Sequence, residues 1–401
     1  MAGRGTSDWL YRYRWAPLTL VVVASLVAVA LSFNRPLWSR VDVPSAPSVG
    51  ALSQSSCSSG ACAAVSYSLF VLNTLAAPHQ WLIAAPTSTP STRRIDTVDC
   101  VGATSSACVF TQGDVVFGLD KDGRAFQLAP LESAQDSIHR LITGVSCDPS
   151  ASLCLALANG WGDVPHHSGI VNFSYVMDLS VSVHALRFDP QYHWQFNPFW
   201  VPEGQWQTSA VGGFRLTPSI PECVSSTTCY ALGPYVNEVI GFPGVYSPVP
   251  NSHLWKTTDR GHSWHEVSLG ARTGRVYFTA MDCTSASTCW LGGVNGEVIR
   301  TTNGGATWKP VGPPSLVSHG AFDDSPVLSI YCAAQSCRML ALDQQQRAVY
   351  STTDDGASWS RVDVSEGFNA QSMSCRSFSE CYVVGVQGSP NTGPATIYRF
   401  G

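Results

Sequence analysis

Short apolar runs such as "YFTAMDC", "PVLSIYC" and "RLITGVSC" alternate along the chain with stretches of small polar residues, and each run ends on a cysteine. A second cysteine follows, and behind it comes another strand-like alternation, as in "CYALG", "CWLGG" and "CYVVG". Period-two alternation bounded by Ser, Thr and Gly predicts strands paired as hairpins. One stretch departs from this pattern. Residues 15–34, "WAPLTLVVVASLVAVALSFN", carry no charge and are long enough for a transmembrane helix. Arg4, Arg12 and Arg14 precede it, which holds residues 1–14 in the cytoplasm and exports residues 35–401. Ala28-Val29-Ala30 resembles a signal-peptidase site, so the alternative to a single-pass membrane anchor is a cleaved signal and a secreted protein.

The pattern repeats. Fourteen cysteines fall in seven close pairs: Cys57 with Cys62, Cys100 with Cys108, Cys147 with Cys154, Cys223 with Cys229, Cys283 with Cys289, Cys332 with Cys337, and Cys375 with Cys381. Between the partners stand four to seven mostly small or polar residues, which suits a β-hairpin loop with its cysteines facing each other within disulfide reach. An aromatic follows each second cysteine: 18 residues intervene before Trp81, 17 before Phe126, 18 before Trp308 and 21 before Trp359. A unit of about 43 to 50 residues has the length of a four-stranded propeller blade. Two units are longer, with 51 residues before Trp206 and 34 before Trp264, which predicts insertions at about 155–205 and 230–263. The seventh unit stops at "TIYRFG" without its aromatic, and "WSRVDV" at Trp38–Val43 repeats "WSRVDV" at Trp359–Val364. The expected fold is therefore all-β, a seven-bladed β-propeller whose last blade is closed by the N-terminal strand, preceded by one transmembrane helix.

Composition narrows the chemistry. A formal net charge of −5 gives no reason to expect nucleic acid as a partner. Paired cysteines in an exported chain point to disulfides, whereas zinc sites want two to four residues between ligands. His262 and His265 in "HSWHE" would face opposite sides of a strand, so no metal is expected, and no cofactor.

A polar turn precedes three of the aromatics: "TTDRGHSW" ending at Trp264, "TTNGGATW" ending at Trp308 and "TTDDGASW" ending at Trp359. Asp259, Asn303 and Asp354 are placed to accept backbone N–H bonds, and the glycines permit positive φ. "LDKDGRAF" is a decayed copy. These turns resemble the Asp-box, or bacterial neuraminidase repeat. Together with "GGVNGEVIRTTNGGATW" they resemble the propeller family of photosystem II stability and assembly factors, over Trp38–Gly401 and best from Cys283 to Val362. That resemblance implies a non-enzymatic propeller on the exported side of a membrane, where it assists assembly of a membrane-protein complex.

Three function classes follow. The first is a protein-binding scaffold or assembly factor. The second is a cell-surface carbohydrate-binding module, for which the aromatic segment "FDPQYHWQFNPFWVPEGQW" offers Tyr192, His193, Trp194, Phe199 and Trp200 as binding residues, with "GFPGVYSPVPN" expected beside them. The third is a sialidase-like glycoside hydrolase built on paired carboxylates in the propeller channel, although the Arg-Ile-Pro start of sialidases is represented only by "FRLTP" at Phe214. No catalytic residue is assigned from sequence.

Overall fold

The computed structural model describes residues 38–44, 52–59, 61–66, 69–73, 80–83, 95, 97–101, 108–112, 115–119, 125–130, 139–150, 153–163, 170–178, 195–198, 220–234, 252–261, 263–270, 278–294, 296–316, 326–343, 346–389 and 393–401. The chain divides into two units, Met1–Ser39 and Arg40–Gly401. Residues 1–37, including the apolar 15–34 segment, lie outside the described residues, among which no helix is long and apolar enough to cross a membrane.

The described elements are strands. β1 (Trp38–Val41) opens the series. Then come β2 (Gln54–Cys57), β3 (Cys62–Val65), β4 (Leu69–Asn73) and β5 (Gln80–Ile83), followed by β6 (Thr97–Cys100), β7 (Cys108–Gln112), β8 (Val115–Leu119) and β9 (Ala125–Pro130). The third set is β10 (His139–Cys147), β11 (Cys154–Asp163), β12 (Ile170–Asp178) and β13 (Gln195–Pro198). The fourth is β14 (Ile220–Cys223), β15 (Cys229–Pro234), β16 (Ser252–Thr257) and β17 (His265–Val267). The fifth is β18 (Phe278–Cys283), β19 (Cys289–Gly293), β20 (Val298–Thr301) and β21 (Lys309–Pro310). The sixth is β22 (Val327–Ala333), β23 (Ser336–Asp343), β24 (Gln346–Thr352) and β25 (Ser360–Asp363), and β26 (Phe368–Ser377), β27 (Glu380–Gln387) and β28 (Ala395–Phe400) end the chain.

Among the described residues these strands form seven four-stranded sheets, six of them simple meanders in chain order. The last has the order β1-β28-β27-β26, so the repeated "WSRV" occupies the place that "SRVD" of β25 holds in the sheet before it. The first strands of the sheets touch in a cycle, β2 to β6, β10, β14, β18, β22, β26 and back to β2. Four-stranded sheets arranged radially around their first strands make a β-propeller.

Core residues lie between neighbouring sheets rather than in one central mass. Tyr230, Leu232 and Leu254 of the fourth sheet pack on Phe278, Met281 and Leu291 of the fifth. Trp290 and Val298 of the fifth pack on Val327, Met339 and Tyr350 of the sixth. Leu52, Ala64 and Trp81 of the first meet Tyr382, Val384 and Ile397 of the last, and Val41 and Val43 pack on the same layer. Alternation along each strand supplies one row to each side, and the second strands, packed on both faces, read as nearly continuous apolar runs, as in CAAV, CWLGG and ECYVVGVQ. Gly292 marks a close approach between sheets, because a Cβ there would stand 2.5 Å from Val327 Cγ1.

The third set differs from the repeat frame. Its length is taken up partly by long strands, nine residues in β10, ten in β11 and nine in β12, and its fourth strand is Gln195–Pro198, upstream of Trp206. Trp206 lies outside the described residues.

Candidate functional site

The cysteine pairs determine the shape of one end of the molecule. All seven are bonded as the spacing predicts, each as a directly opposed pair at the end of the first hairpin of its sheet, with Cα atoms 3.9–4.1 Å apart, and no cysteine is free. In the last sheet the bond joins Cys375 of β26 to Cys381 of β27, and Cys381 is fully buried. The third strand of a sheet ends beside the same cysteines, as in Cys229↔Thr257, Cys289↔Thr301 and Cys337↔Thr352. In the last sheet Cys381 stands opposite Phe400. The polar turns that follow the threonines therefore share a face with the disulfide hairpins. In each, the threonine hydroxyl accepts the N–H of the glycine four residues on, at 2.9–3.0 Å, and donates to the Asp or Asn two residues on, at 2.7–2.9 Å. Asp259, Asn303 and Asp354 in turn accept the N–H of Ser263, Thr307 and Ser358, each at 2.9 Å. Backbone φ is positive at Arg260 and Gly261, Gly304 and Gly305, and Asp355 and Gly356. The turns also clip onto their own hairpins, with the N–H of Arg260, Gly304 and Asp355 donating to Thr227, Ser287 and Gln335 carbonyls. Trp308 and Trp359 donate their indole N–H to Ser268 and Val311 of the preceding sheet's outer edge, which ties sheet to sheet. Trp264 donates within its own turn, to Gly261.

The seven first strands enclose a channel of about 900 Å³. A recurrent bulge shapes it: the register slips at Thr143, Thr279, Leu328 and Gln371, each four residues before the first cysteine. An extra residue there bends the strand and increases its twist. One residue before the first cysteine the chain carries in turn Ser56, Asp99, Ser146, Glu222, Asp282, Tyr331 and Ser374, and all seven line the channel.

At this level the side chains stitch one sheet to the next. Ser56 Oγ accepts the N–H of Cys100 at 2.9 Å and donates to Asp99 Oδ1 at 2.9 Å. Asp99 Oδ2 accepts the N–H of Cys147 at 2.7 Å, Ser146 Oγ that of Cys223 at 2.9 Å, and Asp282 Oδ2 that of Cys332 at 2.5 Å. Ser374 donates to Cys57 Sγ at 3.3 Å, which joins the last sheet to the first. The bonds to Cys100, Cys147, Cys223 and Cys332 occupy N–H groups on the free inner edge of strands that have no neighbour on the channel side.

Three of the seven are acids. They line the channel yet are surrounded by protein, so burial raises the Asp99 carboxyl to about 6 against the lowering by its hydrogen bonds to Cys147, Ser56 and Cys100. Burial also raises Asp282 to about 7, opposed by the Cys332 N–H. Glu222 is held well above the carboxylate range by burial and then by repulsion from Asp282 and Asp99. Among the described lining residues there is no lysine or arginine, so the field in the channel is negative.

Tyr192, His193, Trp194, Phe199 and Trp200 lie outside the described residues, as does "GFPGVYSPVPN". β13 nevertheless bears on one of them. Trp194 immediately precedes it, as Trp264, Trp308 and Trp359 immediately precede β17, β21 and β25, and Asp189 stands five residues before Trp194 just as Asp259, Asn303 and Asp354 precede theirs. The channel acids were not singled out from the sequence. Their signal is the column before each first cysteine, which reads Ser, Asp, Ser, Glu, Asp, Tyr, Ser. Among the described residues no three His, Cys, Asp or Glu side chains are placed to hold a metal ion.

No family model matches the sequence, and no curated protein matches it. Solved structures do. The chain is similar to YCF48 bound to D1 peptide, with 12% identity and a TM-score of 0.54 over 92% of this chain and 97% of that one. It is similar to YCF48 from Cyanidioschyzon merolae at 11% identity and a TM-score of 0.51, over 90% and 98% of the two chains. A family-74 glycoside hydrolase, the xyloglucanase from Xanthomonas campestris, matches at 11% identity and a TM-score of 0.53, over 88% of this chain and 53% of that one. At such identities the likeness shows a shared fold, the β-propeller.

Proposed function

We propose that this chain is an exported, membrane-anchored, seven-bladed propeller that binds a protein partner as a scaffold or assembly factor, in the manner of the photosystem II assembly-factor family that its Asp-box-like turns resemble. The observation that carries this reading is the correspondence of fold along nearly the whole chain with YCF48, a propeller whose solved structure holds a D1 peptide. Seven disulfides and no free thiol accord with an oxidising compartment outside the cytoplasm, and residues 15–34 accord with an anchor. The stapled hairpins form a rigid rim around a channel, and a rigid scaffold presenting loops is where binding sites are commonly built.

The test is cellular. The chain should remain in membranes after alkaline extraction, its propeller should be open to protease added outside the cytoplasm, and chemical cross-linking should join it to a second protein that binds the purified propeller. A cytoplasmic chain with free thiols, or one that cross-links only to itself, would overturn the proposal. A second reading, glycoside hydrolysis, draws on the mutual repulsion of Glu222 and Asp282, since a protonated carboxyl beside a carboxylate suits acid–base chemistry. Turnover of a glycan that Glu222→Gln abolishes would favour it over the scaffold.

A further inference from the structure

Trp38, Trp81, Trp264, Trp308 and Trp359 each stand at the start of an outer strand, and the two residues that follow each of them are exposed. In four sheets that exposed pair is polar or ends on proline: Ser39-Arg40, His265-Glu266, Lys309-Pro310 and Ser360-Arg361. In the first sheet it is Leu82 and Ile83, 47% and 37% exposed, and these two are the exposed large hydrophobic side chains among the described residues. Leu82 lies across Val71 from Ala63, the neighbour of Cys62, so the pair sits at the disulfide end of β5. Edge strands are ordinarily guarded by charge or proline, because an exposed apolar edge invites association. Four outer strands keep that guard at this position and β5 lacks it.

We propose that Leu82 and Ile83 form a lipid-contact site, entering the surface of the bilayer beside the seam between the first and last sheets. The proposal rests on the membrane-anchor reading above. The apolar 15–34 run ends three residues before Trp38, and however those residues are folded they reach at most about 14 Å. The strand they lead into, β1, is the outer strand of the last sheet. Its Val41 packs on the layer that holds Trp81, the residue directly before Leu82. An anchored chain therefore keeps this seam, of all the seams in the ring, within reach of lipid. Successive residues of a strand point to opposite sides, so Leu82 and Ile83 flank the edge of β5 and do not line one groove. A fluid surface takes in both side chains, whereas a groove-seated partner covers one face. Arg40, exposed beside Val41, brings a cation to the phosphate headgroups.

The test uses the full chain reconstituted into vesicles of phosphatidylcholine and phosphatidylglycerol, with an apolar diazirine amino acid placed at Leu82 or Ile83. The matching outer-strand positions Lys309 and Ser360 carry the same probe as controls. After irradiation and digestion, mass spectrometry should find phospholipid adducts on the fragment holding Leu82 and Ile83, about tenfold or more above those at Lys309 and Ser360. Alkaline extraction of the same vesicles reports the anchor separately. A chain retained by the vesicles without lipid adducts at either residue, or with equal adducts at all four positions, overturns the site while the anchor stands. A chain released by alkali overturns the anchor reading; lipid adducts at Ile83 despite that release would leave the contact standing by itself, and their absence would overturn both. In intact cells, adducts of protein mass in place of lipid at Leu82 and Ile83 would overturn the assignment to the bilayer.

Discussion

Glu222 and Asp354 are both acids, yet they answer protons in opposite senses. Asp354 sits on the exposed turn before Trp359, where the Ser358 hydroxyl and N–H and the Thr352 hydroxyl hold its carboxyl down to about 2. A depressed value means stability that is present above the ordinary 3.8 and lost as pH falls toward 2. The channel acids are raised instead. Between about 7 and the ordinary value the folded chain binds more protons than the unfolded one, so stability grows as pH falls through that window. Denaturant unfolding across pH should therefore show greatest stability at about pH 4 to 6, and Glu222→Gln should stabilise the protein at pH 8. A profile still rising from pH 6 to 8, or a variant less stable at pH 8, would contradict the assignment. Glycines give a second contrast at this scale. Gly305 has φ 94° and a Cβ there would meet Val267 Cγ1 at 2.1 Å, whereas Gly270 has φ 83° with open space around it. Gly305→Ala should cost about 2 kcal/mol or more and Gly270→Ala roughly 1, read as the difference in unfolding midpoint.

The closing strand shows what a single element contributes. Val41 and Val43 pack on the layer shared by the first and last sheets, and β1 completes the last sheet beside β28. Removing residues 38–43 should strip that layer, expose the β28 edge and cause aggregation, as seen by light scattering. A monomeric truncated chain with unchanged melting would refute the closure. Much of this was legible beforehand, because a staple and a tryptophan at fixed intervals mark a strand pair and an inter-sheet contact whatever lies between them. The third set was less legible. Sixteen residues separate β12 from β13, where seven separate the corresponding strands in each of the next three sheets, so the spacing pointed past Trp194 to Trp206. Trp194 and Trp200 lie outside the described residues, and their joint replacement by alanine is expected to abolish partner capture while leaving the melting temperature nearly unchanged, whereas collapsed melting would contradict their binding role. The channel acids escaped sequence reading for another reason. Their meaning depends on seven strands converging, and in one dimension they are isolated Asp and Glu residues 60 or more positions apart.

At the scale of the whole molecule, the two ends of the propeller differ. One end gathers the disulfide hairpins, the polar turns and the acid level of the channel, while the other carries the connections between second and third strands and between sheets. Each staple closes a loop spanning five to eight residues and contributes about 2 to 2.5 kcal/mol in the chain-entropy model, so the hairpin end is the stiffer one and loses little freedom on binding. Docking of a protein on this end is the claim that joins fold to function. It is tested most directly by placing a photoreactive amino acid, one position at a time, at Ser59, Thr227 or Ser287 on the hairpin end and at Ser389 on the other, and irradiating intact cells. The account predicts that the three hairpin positions cross-link to a protein of one common mass while Ser389 yields none. Cross-links from Ser389 alone, or equal products from both ends, would contradict it.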